Sequence, residues 1–368
     1  MTRECLTFRV ATSDPADVSG IDRLIAEEKL AADEITAIFG KTEGNGGVND
    51  FTRALATEAL KNCLARHLGI DPDTVAERVP LVMSGGTEGG LSPHLLVIAV
   101  RHTDAKPKGM ALAVGTGFTR AFFPEEIGRA AMVWETAKAV HEAVASAAIA
   151  GPHDVHFVQI KCPLLTGERV EAAKARGQTV VTEYTYPSMG YSRGAAALGI
   201  AAALGEVSPD SITDESIGSD FGLWSARAST SAGVELQRCE IIALGNSANW
   251  AGDSVIAHGV MKDAIDLPAV HTVLRELGMH TSGQLDAADR GRVRAVLAKA
   301  EASRDGRIRG RRHIMLDDSD INATRHSRAL VGGVLAGLFG FTDLYVSGGA
   351  EHQGPDGGGP IAVIAGKT

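Results

Sequence analysis

The sequence predicts an α/β protein made of three pseudo-equivalent α/β repeat units, arranged with pseudo-threefold symmetry around one central active site. Three observations predict it. A serine motif occurs three times, as Ser84-Gly-Gly-Thr-Glu88, Ser231-Ala-Gly-Val-Glu235 and Ser347-Gly-Gly-Ala-Glu351, with serine first, glycine third and glutamate fifth. Each copy follows an apolar or β-prone run and leads into another: Leu95–Val100, Glu240–Leu244 or Ile361–Ala365. Upstream of each motif stand a run ending in lysine (Lys41, Lys161, Lys299) and then an arginine (Arg53, Arg193, Arg325). Any one such match is weak, but the same order three times is not. A spacing of about 120–150 residues is too long for a solenoid repeat and points to domains.

The first unit, residues 1–104, opens with a strand at Leu6–Ala11 and a helix over Ile21–Ala26, read from its apolar spacing. Lysine-ending strand Glu34–Lys41, glycine-rich loop Glu43–Gly47 and helix Ala54–Leu68 follow, before the Ser84 strand and its successor. The second unit, 110–250, starts with a strand at Met110–Val114. Pro124 then opens an alanine-rich helix to about Ala150, proline being tolerated in a first turn. Asp154–Lys161 is the lysine strand, and Arg193 opens a helix over Gly194–Leu204. The third unit, 253–368, begins with Ser254–Ala257 and a helix around Val270–Leu277. Arg292–Lys299 is its lysine strand, and Arg325 precedes a helix over Ala329–Phe339. The polar stretches His102–Gly109 and Ser247–Asp253 suit surface linkers.

Composition bounds the function. Charged residues are 22% and hydrophobic residues 44% of 368, as in ordinary globular proteins. A net charge of −9 argues against nucleic acid or an anionic membrane as partner. No apolar run reaches transmembrane length, and Met1–Cys5 leads into no apolar signal core. The four cysteines, Cys5, Cys63, Cys162 and Cys239, lie far apart and form neither a zinc pattern nor a disulfide framework. A cytoplasmic protein with reduced thiols is expected.

Serine needs a base to become a nucleophile. No histidine recurs with the serines, but lysine does, and Ser–Lys is a known nucleophile–base variant. A lysine titrates near 10.4; burial and neighbouring arginines would lower it toward working pH. Taken singly, a lysine ending a strand is most often a solvated end, an arginine at a helix start a surface residue, and Ser-Gly-Gly a turn. The trio in constant order favours chemistry, and glycine beside serine lets backbone N–H groups approach an oxyanion. His153 and His156 have no partner motif. The run Gly354–Gly359 lacks the Gly-Lys-Ser/Thr ending of a phosphate loop.

The motifs Ser84-Gly-Gly-Thr-Glu-Gly, Gly190-Tyr-Ser-Arg-Gly194, Ser231-Ala-Gly-Val-Glu-Leu and Ser347-Gly-Gly-Ala-Glu-His-Gln-Gly-Pro355 resemble the cyclic amide hydrolases, enzymes that open cyanuric or barbituric acid. The resemblance covers essentially the whole chain. It implies Ser231 as nucleophile and Lys161 as base, with Lys41–Ser84 and Lys299–Ser347 as supporting pairs. Arg53, Arg193 and Arg325 would clamp the substrate, and backbone at Gly85, Ala232 and Gly348 would meet its oxygens. It implies a structural Mg²⁺ or Ca²⁺ on Glu301, Ala350, Gln353, Gly354, Pro355 and Gly358, an oxygen donor set suited to a hard cation, and no organic cofactor. It also implies a homo-oligomer, such as a tetramer. The expected reaction is hydrolysis of cyanuric acid to carboxybiuret, which loses CO₂ to give biuret. Ring opening of barbituric acid to ureidomalonate, and non-catalytic binding of a small cyclic metabolite, are the alternatives. The middle motif departs from its siblings in carrying Ala232 where they have glycine.

Overall fold

The computed structural model describes residues 1–367. Its main strands and helices fall into three groups along the chain. The first holds β1 (Thr2–Ala11), α1 (Ser19–Ala26), β2 (Ile35–Thr42), α2 (Phe51–Leu68), α3 (Pro72–Arg78), β3 (Leu81–Gly85) and β4 (His94–Thr103). The second holds β5 (Ala111–Phe118), α4 (Ala130–Ser146), β6 (Val155–Cys162), α5 (Gly167–Ala175), α6 (Thr185–Ala203), β7 (Ala228–Ala232) and β8 (Glu240–Ser247), with the short β9 (Trp250–Ala251) after it. The third holds β10 (Ser254–Met261), α7 (Leu267–Glu276), α8 (Ala287–Arg292), β11 (Val293–Ala300), the β12–β13 ribbon (Arg307–Ile308, Arg311–Arg312), α9 (Ala323–Phe339), β14 (Tyr345–Gly348) and β15 (Gly359–Gly366).

Three mixed sheets result, and their strand order is the same. The opening strand pairs with the closing strand, the closing strand with the lysine strand, and the lysine strand with the serine strand: β1-β4-β2-β3, β5-β8-β6-β7 and β10-β15-β11-β14. In each sheet the lysine and serine strands run parallel. Their register sets Lys41 opposite Ser84, Lys161 opposite Ser231 and Lys299 opposite Ser347. In register on adjacent strands, each lysine and its serine emerge on one face of the sheet.

Local chemistry explains the ends. Asp50 caps α2 by accepting from the Thr52 N–H, and Gly69 closes it in a left-handed turn with φ 67°. Asp71 caps α3 with Pro72 in the first turn, where a missing N–H is harmless. Several sequence expectations shift. Pro124–Glu126 forms one 3₁₀ turn, and Gly128 at φ 78° breaks the chain before α4, so the alanine-rich helix starts six residues late and stops at Ser146. Helix α6 begins at Thr185, which places Arg193 inside a helix rather than at its start. Likewise α9 begins at Ala323, so Arg325 lies in its first turn.

Alternation along the strands feeds two kinds of core. Ile38 of β2 packs under α2 with Leu60 and Leu64, whereas Ala37 and Phe39 face a large shared core. Val296 and Ala298 of β11 pack under α9, whereas Ala295 and Leu297 face the same shared core. That core also takes Trp250, Ile160 and Tyr345, so all three sheets meet in it. Phe39 and Tyr345 touch edge to face there, with ring centroids 5.5 Å apart. No helix among the described residues is long and apolar enough to cross a membrane.

Candidate active site

The three serine strands end at one pocket. Its wall contains Ser84, Gly85, Ser231, Ala232, Ser347 and Gly348, together with Arg53, Arg193, Arg328, Gly46 and Met189. An outer cleft of about 410 Å³ shares Gly46, Met189, Arg193, Arg328 and Gly348 with it, and adds Tyr186, Asp320, Asn322 and Arg325.

All three lysines are buried, each about 1% exposed. The Lys41 Nζ donates to Ser84 Oγ at 3.3 Å and to the Gly85 carbonyl at 3.2 Å. The Lys299 Nζ donates to Ser347 Oγ at 3.2 Å and to the Gly348 carbonyl at 3.1 Å. Lys161 differs. Its Nζ donates to the Met83 carbonyl at 2.7 Å and lies 3.3 Å from Glu235 Oε1. Ser231 Oγ is buried with no hydrogen-bond partner, the one motif serine so placed among the described residues. Hydrogen bonds of catalysis commonly tighten only once substrate is present.

Burial is the main force lowering all three lysine pKa values, and a guanidinium adds like-charge repulsion to each. Lys41, beside Arg328, falls well below its ordinary value, and Lys299, beside Arg193, falls to about 7. Lys161 is lowered by burial, raised in part by Glu235, and lowered again by Arg53. The guanidinium facing each lysine therefore comes from another third of the chain.

The glutamates follow the same exchange. Glu88 takes Arg328 bidentately, at 2.8 and 2.6 Å, and Glu351 takes Arg193 at 2.8 and 2.6 Å. Bidentate geometry fixes each guanidinium plane. Arg53 donates instead to the Ala232 carbonyl at 3.1 Å and the Gly47 carbonyl at 2.6 Å. The sequence reading put Arg325 on the substrate; the structure sets it in the outer cleft, 41% exposed and 3.1 Å from Glu88. Arg328, 4% exposed, occupies the inner wall and was missed. A signal for it existed: Arg328 shares the buried stripe of α9 with Val331, Leu335 and Leu338, an unusual place for a cation.

The residues assigned to a metal lie at the far end of β11. Glu301, Ala350, Gly354 and Pro355 line one small pocket; Gln353 and Gly358 belong to the same loop but not to its wall. Glu301 accepts from the Ala350 N–H at 2.9 Å and the Ala302 N–H at 3.1 Å, and has no salt bridge among the described residues. Burial and the nearby Glu351 raise its pKa. A buried carboxylate without a paired cation fits a hard divalent ion. The Gln353 side-chain oxygen accepts from the Thr230 N–H at 2.7 Å, which ties this loop to β7.

Three parallel Lys–Ser strand pairs open on one arginine-lined pocket, and comparison with known families gives the class as a hydrolase of cyclic amides. The chain belongs to the amidohydrolase ring-opening protein family, whose family model matches residues 7–366. It is 56% identical over 362 residues to a cyanuric acid amidohydrolase of Enterobacter cloacae, covering 97% of this chain and 98% of that one. It is 55% identical over 360 residues to a cyanuric acid amidohydrolase of Azorhizobium caulinodans, covering 98% of each. Among solved structures it resembles a cyanuric acid hydrolase described as an innovation by structural concatenation, with TM-score 0.95, 51% identity and full coverage of both chains. The cyanuric acid hydrolase of A. caulinodans superposes with TM-score 0.91 at 53% identity, covering 100% of this chain and 99% of that one.

Proposed function

We propose that this chain opens the cyanuric acid ring by hydrolysis, with Ser231 as nucleophile and Lys161 as base. The observation that carries the substrate is identity above one half, along nearly the whole chain, to cyanuric acid amidohydrolases. Within the site, the reading of Ser231 is supported by its buried, unpartnered Oγ in register with a buried lysine.

Neutral Lys161 takes the Ser231 proton as Oγ attacks a ring carbonyl carbon. Backbone N–H groups near Ala232 hold the oxyanion. The ring C–N bond breaks, and the Lys161 ammonium returns its proton to the departing nitrogen. Water then attacks the acyl-serine ester, restoring the hydroxyl and releasing carboxybiuret, which loses CO₂ to biuret. Arg53, Arg193 and Arg328 orient the flat ring, since planar guanidinium groups match planar carbonyl edges. Shared strand order and a motif repeated with serine first, glycine third and glutamate fifth support three pseudo-equivalent units, 1–104, 110–250 and 253–368, around a site of threefold character suited to a ring with three alternating carbonyls. A divalent ion at Glu301 would neutralise charge and brace the loop after Ser347. Its part would be structural.

Parallel assays on cyanuric and barbituric acids test the substrate. Turnover of cyanuric acid with biuret as product is expected. Faster turnover of barbituric acid, or binding of cyanuric acid without product, would overturn the assignment.

A further inference from the structure

The threefold exchange of charges is broken at one place, and the break falls on the working lysine. Glu88 and Glu351 each grip a guanidinium, but Glu235, the fifth residue of the middle motif, does not grip Arg53. The cause is visible in the backbone. Gly86 and Gly349 take left-handed conformations, φ 106° and 74°, and lie under the guanidinium groups of Arg328 and Arg193. Gly233 takes no positive φ, and it lies under the carboxylate of Glu235 itself. The middle turn therefore folds its glutamate back toward Lys161, 3.3 Å away, and Arg53 turns to main-chain carbonyls.

We propose that Glu235 is a positioning residue for the reaction, anchoring the Lys161 amine between its carboxylate and the Met83 carbonyl and balancing its charge when it carries the serine proton. The proposal rests on the reading of Lys161 as base. Burial and Arg53 by themselves drive Lys161 toward the neutral form. An amine depressed too far is a weak base, and the best base titrates near the working pH. A carboxylate at ion-pair distance opposes the depression and stabilises the ammonium formed during attack, as the aspartate of a serine protease stabilises its imidazolium. The titratable and charged groups facing Lys161 are Arg53 from α2, Glu235, Glu240 across on β8 and Cys162 on its own strand; β3 presents only the Met83 carbonyl. Burial pushes the Cys162 thiol up to about 11 and the Glu240 carboxyl up to about 7, whereas against its own burial the Glu235 carboxyl is held below its ordinary value by Lys161 and Arg53.

The test combines two readouts on Glu235→Gln. The Lys161 Cε resonance, assigned by its absence in Lys161→Arg, is titrated by NMR in the wild type and the variant. The acid limb of the kcat profile on cyanuric acid is measured in both; substrate ionisation is common to the two and cancels. Loss of the carboxylate should lower the Lys161 titration and move the acid limb to lower pH by about one unit, with KM little changed. Glu235→Asp, which keeps the charge at shorter reach, should shift both less. Glu88→Gln, whose carboxylate holds Arg328, should raise KM and leave the limb in place. An unmoved Lys161 resonance in folded Glu235→Gln, or a KM effect like that of Glu88→Gln with an unmoved limb, would overturn the proposal. Were Lys161→Arg to keep the wild-type acid limb, the base assignment itself would fall, while the NMR titration would still decide the Glu235 contact.

Discussion

At the scale of single residues, the site is governed by which polar atoms are left without partners. Ser84 and Ser347 are tied to their lysines, but Ser231 Oγ has no protein partner. A buried hydroxyl without a hydrogen bond is costly unless a substrate completes it. Ser231→Ala should therefore abolish turnover, whereas Ser84→Ala and Ser347→Ala should retain part of it; steady-state kcat for the three variants checks this. Lys161→Arg should be almost as damaging, because a guanidinium cannot release its proton near neutral pH. The sign of the pH dependence follows. The neutral amine is the base, so kcat should fall about tenfold per pH unit below the Lys161 pKa and level off above it. A profile that rose toward acid would contradict the base assignment.

Two element-scale features can be tested in the same way. Arg325 and Arg328 lie three residues apart on α9, yet only Arg328 reaches the inner wall. Hydrogen bonds to charged groups contribute about 1.5–3 kcal/mol. Arg328→Ala should then raise KM by roughly 10- to 100-fold, and Arg325→Ala by far less; equal effects would place the clamp elsewhere. The second feature is Glu240, buried at the start of β8, whose Oε2 accepts from the Leu81 N–H of β3 at 3.2 Å. Its pKa is raised by burial from 4.5 to about 7. The folded protein thus binds a proton there that the unfolded chain releases near 4.5. The stabilisation is complete below pH 4.5 and is lost as pH rises toward 7, amounting to about 3 kcal/mol at most. Glu240→Gln, which cannot ionise, should show a shallower fall of Tm between pH 5 and 8 than the wild type. Identical slopes would mean that Glu240 is ionised throughout.

On the whole-molecule scale, the three sheets share one core. Phe39 is fully buried against Tyr345, so Phe39→Ala should destabilise the protein by about 3–5 kcal/mol. Because all three sheets contribute to that core, calorimetry should show the variant unfolding in one shifted transition; separate transitions would mean that the units fold independently. If the proposed divalent ion is held at Glu301, chelating it should lower Tm, since that carboxylate would lose its counter-ion, and should leave kcat largely intact. Elemental analysis of active enzyme finding no divalent ion would refute the metal.

The sequence by itself determined the three-part order of lysine strand, arginine and serine strand; the pairing of each lysine with its serine was implied by the family resemblance. That order is local, because strands announce themselves by β-branched and apolar runs; the parallel pairing that carries Lys161 to Ser231 joins strands separated by two helices and belongs to the tertiary structure. Helix starts were less legible, because Gly128 and the early turn at Thr185 override the composition downstream. Tertiary structure alone decided which charges meet. Arg53 faces Lys161 across more than a hundred residues, Arg328 and Arg193 go to Glu88 and Glu351, and Glu235 turns back on Lys161. Nothing in three near-identical motifs separates those outcomes. They depend on how the sheets pack and on a backbone angle at Gly233, Gly86 and Gly349, where glycine admits either sign of φ and the surrounding fold selects one.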